Sequence, residues 1–257
     1  MARTFDALKK AEKAINAREQ AQADVARMFD SEPVVNGKPL DKKPPAPKAS
    51  VCMTEEYSRL RQGILAALPE SKTRVLLFAC STAGEEAAPV LAAFGRALAR
   101  SGERVLLVDT DLRGPMLHRL FGGDGGPGVA QLLSGNGALH AAAMRTETEG
   151  LLLLTAGNPV PNPISLLESA GIDALVGSMR NEADWVLLTA PPVNAYNDTI
   201  ALAKKVDGVV LVVEAEKTRW EVARAAKERL EDGGANILGV VLNKRKLHIP
   251  GWIYRRL

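Results

Sequence analysis

The chain has 257 residues, of which 46% are hydrophobic, and this composition suits one compact domain with additional arms. Its net charge of +3 and aromatic content of 4% argue against a nucleic-acid partner, because nucleic-acid binders concentrate basic and aromatic residues on one surface. Two cysteines cannot form a disulfide framework, and no apolar run approaches the roughly 20 residues of a membrane span. These features predict a cytoplasmic protein without a transmembrane segment.

Two segments precede the predicted domain. Residues 1–30 alternate charge with alanine and carry only a thin apolar stripe, which predicts a helical arm. Residues 31–50 are rich in proline and lysine, a composition that cannot form a packed core and is typical of a linker. The predicted domain covers 51–257, and its first helix is predicted at 54–67, with acidic residues in the first turn.

Apolar runs in the domain are continuous rather than alternating, which indicates strands covered on both sheet faces. The predicted strands are 74–80, 104–109, 151–156, 185–190, 208–214 and 236–243. The predicted helices between them are 90–100, 115–121, 129–134, 164–180, 197–206 and 219–232. This alternation predicts an α/β fold with a doubly wound, mostly parallel sheet and helices on both faces. Ligands of such sheets bind at the carboxyl ends of the strands.

The turn STAGEEAAP, residues 81–89, lies between the first predicted strand and a helix. A glycine-containing turn in that position usually holds nucleotide phosphates, yet this one has no lysine. The second strand ends at Asp109, and Asp111 follows two residues later. Carboxylates at a strand end hold Mg²⁺ or orient a water, or they simply cap the following loop, and both interpretations stay open here.

The order of these blocks resembles the bacterial tyrosine kinases (BY-kinases) of exopolysaccharide synthesis, P-loop proteins related to the MinD and ParA ATPases. The resemblance covers residues 51–257 and rests on RVLLFACSTAGEE, RVLLVDTDLRGPMLHRLFG, TAGNPVPNPISLLES, WVLLTAPPVNAYNDT and ILGVVLNK. It implies a MinD/ParA-like P-loop NTPase fold and, in active members, ATP and Mg²⁺ as cofactors. It also implies a role in making or exporting capsule, exopolysaccharide or holdfast-type adhesive.

The family's phosphate-binding loop has the form S-x-x-P-G-E-G-K-[ST]-T. Gly84 and Glu85 match it. Glu86 stands at the second glycine, Ala87 at the lysine and Ala88 at the hydroxyl residue that ligates Mg²⁺. A methyl group offers nothing to a phosphate oxygen, so the resemblance predicts that this loop has lost its main nucleotide contacts.

The family's other two phosphate-handling elements differ in how well they are kept. The motif D-x-D-x-R is intact as Asp109, Asp111 and Arg113. The motif D-x-P-P reads TAPP, so Thr189 replaces the aspartate, and Asn243 matches a position near the nucleotide base. Together the three elements predict a vestigial nucleotide site with no catalytic residue and no cofactor. If any metal binds, the two aspartates would hold it.

The family's subunit-interface motif, E-x-x-R-x-x-R, is altered. Glu55 and Arg61 match, Ser58 stands at the middle arginine, and neighbouring Arg59 could compensate in part. A ring-shaped oligomer is therefore in doubt, while another homo-oligomer stays open. The family's terminal tyrosine cluster is reduced to Tyr254, a candidate phosphoacceptor.

The resulting hypothesis is a catalytically inactive, pseudokinase-like scaffold. Its implied partners are an inner-membrane polysaccharide co-polymerase or an active kinase paralogue, and its location is cytoplasmic, peripheral to the inner membrane through that partner. One alternative is a divergent but active tyrosine autokinase or ATPase that uses the two aspartates and phosphorylates Tyr254, Tyr57 or Tyr196. The second alternative is a MinD- or ParA-like positioning protein.

Overall fold

The structure is a computed structural model and describes residues 51–245. The predicted arm 1–30, the predicted linker 31–50 and the tail with Tyr254 lie outside the described residues. Within 51–245, no helix is both long enough and apolar enough to cross a bilayer.

The elements of the described region alternate between strands and helices. The strands are β1 (Arg74–Cys80), β2 (Val105–Asp109), β3 (Met144–Arg145), β4 (Leu151–Leu154), β5 (Trp185–Thr189), β6 (Gly208–Glu214) and β7 (Ile237–Asn243). The helices are α1 (Val51–Ala67), α2 (Ala87–Arg100), α3 (Leu117–Leu120), α4 (Val129–Leu133), α5 (Leu139–Ala142), α6 (Pro163–Leu167), α7 (Ala170–Glu182), α8 (Asp198–Ala203) and α9 (Trp220–Asp232).

The seven strands form one sheet in the order β3-β4-β2-β5-β1-β6-β7. All neighbouring strands are parallel except β3 and β4, which are antiparallel. Helices α1, α2 and α3 pack on one face, and α4 to α9 pack on the other, so each face has its own apolar core. The predicted doubly wound α/β fold is confirmed.

The strands lie at the centre of the domain because their residues are apolar on both faces. In β1, Leu76 and Phe78 face one core, whereas Val75 and Leu77 face the other, and all four are fully buried. The aromatic ring of Phe94 in α2 packs edge-on against the indole of the β5 tryptophan at a centroid distance of 6.0 Å. This burial fixes α2, and with it the turn that precedes it, over the carboxyl ends of β1 and β5.

Several local predictions were wrong. Helix α1 begins at Val51 rather than Thr54, because no glycine or proline separates Ser50 from Thr54, and its first turn has no acidic residue. The predicted helix 164–180 is two helices, α6 and α7, separated at 168–169. The sequence patterns also missed α5 and the short strand β3.

A further error concerns β7, which was expected to be covered on both faces. It is an edge strand, and the side chains of Val240 and Leu242 are 54% and 60% exposed. An apolar run predicts a strand but does not show where that strand lies in the sheet.

Candidate functional site

The turn between β1 and α2 is held together by the carboxylate of Glu85. This residue is 2% exposed. Its oxygens accept hydrogen bonds from the backbone N–H groups of Ser81 (2.5 Å) and Thr82 (2.9 Å) and from the hydroxyls of Ser81 (2.5 Å) and Thr218 (2.5 Å). The backbone amides that could bind an anionic ligand at the start of the turn are therefore already bound to an anion supplied by the chain itself.

Glu86, which stands at the second glycine of the family's motif, has a backbone conformation that glycine adopts more readily than other residues. Its φ of 57° and ψ of 51° are left-handed, a region that disfavours residues with a Cβ by about 1 kcal/mol. Its carboxylate lies 2.9 Å from the ammonium of Lys244, just after β7, and Asn243 donates from Nδ2 to the Glu85 carbonyl at 3.3 Å. The repulsion expected between Glu86 and a phosphate is thus weakened, because Lys244 pairs with this carboxylate.

The lysine and hydroxyl positions of the loop contribute only methyl groups. Ala87 is 5% exposed and belongs to the apolar core beneath α2, and Ala88 packs against the same core. Helix α2 begins at Ala87 with no side-chain cap. The loop therefore has neither the cation nor the metal-ligating hydroxyl of the family's motif.

Asp109, at the end of β2, is buried and fully engaged by donors of the chain. One carboxylate oxygen accepts from the backbone N–H groups of Met116 (2.9 Å) and Leu117 (2.8 Å). The other accepts from the Thr189 hydroxyl (2.9 Å) and from the N–H of Asp111 (3.2 Å). Burial raises the pKa of Asp109 above its usual range, although these hydrogen bonds oppose the shift. The carboxylate acts as a structural clamp on the loop that follows β2.

Asp111 and Arg113 are also occupied within the chain. Asp111 accepts from the backbone N–H groups of Arg113 (3.0 Å) and Gly114 (2.9 Å), and burial raises its pKa. The Arg113 guanidinium forms an ion pair with buried Asp198 at 3.1 Å and stacks over the Tyr196 ring at 4.4 Å. This contact joins the loop that follows β2 to the loop that follows β5.

The residues present do not fit Mg-ATP bound in the family's manner. Ala87 and Ala88 supply neither the cation nor the hydroxyl ligand, and Thr189 donates its hydroxyl proton to Asp109 instead of presenting a second carboxylate. Among residues 51–245, no group of three or more His, Cys, Asp or Glu side chains is placed to hold a metal ion. A nucleotide in this site would have backbone amides as its main partners.

A cleft of about 360 Å³ opens beside the loop, on its β6 side. Its walls are Thr82, Ala83, Glu85, Glu214, Lys217, Thr218, Arg219 and Val222. None of the alanines and aspartates discussed above lines it. Cys80, which ends β1 nearby, is a buried free thiol whose pKa is raised to about 12, first by burial and then by the charges of Glu85 and Asp111. That thiol is therefore unreactive.

The residues of the interface motif make contacts within their own chain. Glu55 and Arg59 form an exposed ion pair one helical turn apart at 2.5 Å, and Arg61 pairs with the partly buried Glu103. Ser58 also has an interaction partner. Because Arg61 is paired with Glu103 of its own chain, this arrangement gives no support to the ring-shaped oligomer that the family's motif implies.

Three contacts of the site could not have been found from sequence. Thr218 lies 133 positions from Glu85, and Lys244 lies far from Glu86 along the chain. Only the sheet order, which places β6 and β7 beside β1, brings them to the loop. Likewise, no local pattern pairs Asp198 with Arg113, which lies 85 positions earlier in the chain.

Replacing Thr189 with aspartate would test the clamp. The new carboxylate would lie beside Asp109, whose pKa is already raised by burial, and a like charge raises it further. A carboxyl group with a raised pKa binds protons more tightly in the folded state, so its stabilising effect is present below about pH 4 and is lost as the pH rises through the raised pKa. We expect the melting temperature of Thr189→Asp to fall increasingly below wild type between about pH 4 and 7.

Thermal unfolding followed by circular dichroism would measure that effect across this pH range. Thr189→Asn is the uncharged control. The control should run parallel to wild type. If Thr189→Asp also ran parallel, the two carboxylates would not be interacting and the geometry given for the clamp would be wrong.

Known proteins share both the sequence blocks and the fold. No protein-family model matches the chain. The tyrosine-protein kinase CpsD of Streptococcus agalactiae is 30% identical over 193 residues, which cover 74% of this chain and 83% of that protein. The tyrosine-protein kinase YwqD of Bacillus subtilis is 30% identical over 194 residues, which cover 76% and 82% of the two chains.

Solved structures agree with this relationship. The chimerical protein CapA2B2 superposes with a TM-score of 0.72 at 30% identity, covering 78% of this chain and 88% of the chimera. MinD of Pyrococcus horikoshii, complexed with Mg-ADP, has a TM-score of 0.58 at 21% identity over 72% of this chain and 76% of its own, which bears on the fold alone. The sequence identity, the extent of the match and the shared fold place this chain in the bacterial tyrosine kinase family.

Proposed function

We propose that this chain is a bacterial tyrosine kinase relative that has lost phosphotransfer and acts as a scaffold or regulator of polysaccharide synthesis or export. The polymer would be a capsule, an exopolysaccharide or a holdfast-type adhesive, and the partner a membrane polysaccharide co-polymerase or an active kinase paralogue. Both are inferred from the resemblance to the family. The chain would work at the inner membrane through such a partner.

One observation carries the loss of phosphotransfer. The loop has a left-handed residue at Glu86, where the family's motif has glycine, and its lysine position is a buried alanine. Because a lysine ammonium neutralises the charge that develops on phosphate oxygens, a site without it loses its main electrostatic support for the reaction. Two lysines near the loop are each paired with a carboxylate of the chain: Lys244 with Glu86, and Lys217, whose ammonium lies beside Gly84, with Glu214.

The scaffold part rests on the internal bonding of the site. Glu85 is bound by four donors of the chain, and Asp109 by another four. In an enzyme that gains and loses a nucleotide, such groups are expected to change partners during turnover. Here they stabilise one arrangement of the loops, which suits a surface that a partner recognises.

The rival function is an active, divergent kinase or ATPase in which Asp109 and Asp111 hold a displaced metal. The full-length chain, incubated with radiolabelled ATP and Mg²⁺, tests both functions. We expect no ATP turnover and no label on tyrosine, whereas an active bacterial tyrosine kinase in the same assay is labelled. Metal-dependent label on Tyr57, Tyr196 or Tyr254 that disappears in an Asp109→Asn variant would contradict our proposal.

A further inference from the structure

Beyond the nucleotide site, the part of the chain that the structure describes ends on one side in an apolar sheet edge with no strand beside it. Strand β7 ends the sheet, and its outer side pairs with no strand among residues 51–245. Val240 and Leu242 are 54% and 60% exposed. Together with Val241, which lies between them and faces the opposite core, they define what we call the β7 edge.

The exposure of the β7 edge follows from how the neighbouring elements pack. Val240 and Leu242 pair in register with Leu211 and Val213 of β6, so they point to the same face as those residues. Helix α9 covers β6 on that face through Ala226 and Leu230, which are fully buried. The helix covers β7 only in part and leaves Val240 and Leu242 largely in solvent.

The opposite edge of the sheet is built differently. Strand β3 has only two residues, Met144 and Arg145, runs antiparallel and carries a charge. Short, charged edge strands are how soluble proteins prevent pairing with another strand. Strand β7 has seven residues, ILGVVLN, without a charge or a proline. The sheet is thus protected at one edge and open for pairing at the other.

We infer that the β7 edge pairs with the β7 edge of a second copy of this chain. The two strands would run antiparallel across a two-fold axis at Val241, joining two seven-stranded sheets. Because opposite residues in an antiparallel pair share a face, Val240 of each copy would lie opposite Leu242 of the other. This register buries four apolar side chains in one cluster.

The bulge between β6 and β7 selects this register. The irregularity lies between Val209 and Val210, and it places Leu238 on the opposite face from Val240. A two-fold axis at Val240 would therefore set Leu242 against Leu238, whose side chain points the other way. Only the axis at Val241 matches both exposed side chains.

A second copy suits this edge better than a charged partner does. The strand offers backbone donors and acceptors plus aliphatic side chains, and an identical strand supplies the same groups in return. The chain's net charge of +3 is small, so repulsion between two copies opposes pairing only weakly. This contact does not use the interface motif in α1.

Sedimentation equilibrium of the full-length chain tests the inference. We expect wild type to associate to twice the chain mass at concentrations up to about 100 µM. Leu242→Lys would place two ammonium groups in the apolar cluster and should raise the dissociation constant at least about 10-fold. Met144→Lys, the same change at the opposite edge, should leave it unchanged. Melting curves would show that both variants fold.

A crosslink tests the register. Val241→Cys would place two thiols directly opposite one another, within the span of a disulfide, whereas Val240→Cys would set them diagonally apart. Under mild oxidation, we expect a covalent dimer from Val241→Cys but not from Val240→Cys or wild type. Wild type that stays monomeric, or a dimer that Leu242→Lys does not weaken, would overturn the proposal. So would a chain that dimerises only after residues 246–257 are removed, because its own tail would then cover the edge.

Discussion

Restoring a lysine at position 87 should not by itself restore Mg-ATP binding. The ammonium of Ala87→Lys would replace one of three missing contacts, while Ala88 and Thr189 still supply neither a metal ligand nor the carboxylate that orients it. Charge-assisted contacts are worth about 1.5–3 kcal/mol each, so the three together account for roughly 5–9 kcal/mol, or about 10⁴-fold in affinity or more. Titration calorimetry should find no micromolar binding by this single variant.

The combined variant Glu86→Gly, Ala87→Lys, Ala88→Thr and Thr189→Asp should behave differently. Glycine suits the left-handed backbone at position 86, and bound Mg²⁺ would offset the repulsion between the carboxylates at 189 and 109. We expect Mg-ATP affinity at least about 100-fold above that of the single variant. The matched control carries methionine instead of lysine at position 87. Micromolar binding by Ala87→Lys alone, or no gain in the combined variant, would contradict this description of the site.

Removing the Glu85 carboxylate should cause a large loss of stability. The Glu85→Ala variant would leave two backbone amides and two hydroxyls around a buried position without their acceptor. Because buried polar groups without a hydrogen-bond partner are destabilising, we expect the free energy of unfolding to fall by about 3 kcal/mol. For a domain of this size, that loss lowers the melting temperature by about 6–12 °C.

Calorimetric or fluorescence melting curves would measure this loss of stability. Two variants serve as controls. Glu85→Gln keeps the shape and one acceptor oxygen, and it should lose clearly less than the alanine variant. Glu86→Ala alters the half-exposed neighbour and should have a small effect, because its partner Lys244 is solvent-accessible. A Glu85→Ala melting point within about 2 °C of wild type would show that water replaces the carboxylate.

The fold could be predicted from the sequence because its signals are local. Strands β1 and β6 begin and end at the predicted residues, since each is an apolar run bounded by polar residues. The doubly wound arrangement follows from the alternation of such runs with helices. Helix boundaries were predicted less accurately. Helix α1 begins three residues before the predicted start, because no glycine or proline in that segment ends the helix.

The site could be predicted only in part. The motif positions identified the loop, Asp109 and Thr189, and the structure brings the last two into contact. The compensating contacts of Thr218 and Lys244 depend on strand order, which no local pattern encodes. The exposed β7 edge was missed for the same reason.

If the chain has lost nucleotide binding, as we propose, these contacts explain how the loop could stay ordered without a ligand. Glu85, which the family's motif also has, binds two of the loop's amides, Lys244 neutralises Glu86, and the Thr189 hydroxyl holds Asp109 where the family has a second aspartate. The turn between β1 and α2 would then have a structural role, because it holds α2 over the sheet. Selection for a binding surface would preserve such a loop without preserving catalysis.

The central claim is that the wild-type chain does not bind Mg-ATP in the family's manner. Isothermal titration calorimetry tests it most directly, with ATP or ADP added to the full-length chain in the presence and absence of Mg²⁺. With the lysine, hydroxyl and aspartate positions replaced, we predict no heat of binding that depends on Mg²⁺ at nucleotide concentrations up to about 1 mM. Saturable, Mg²⁺-dependent binding in the micromolar range would contradict the account and would identify the chain as a working, unusual kinase or ATPase.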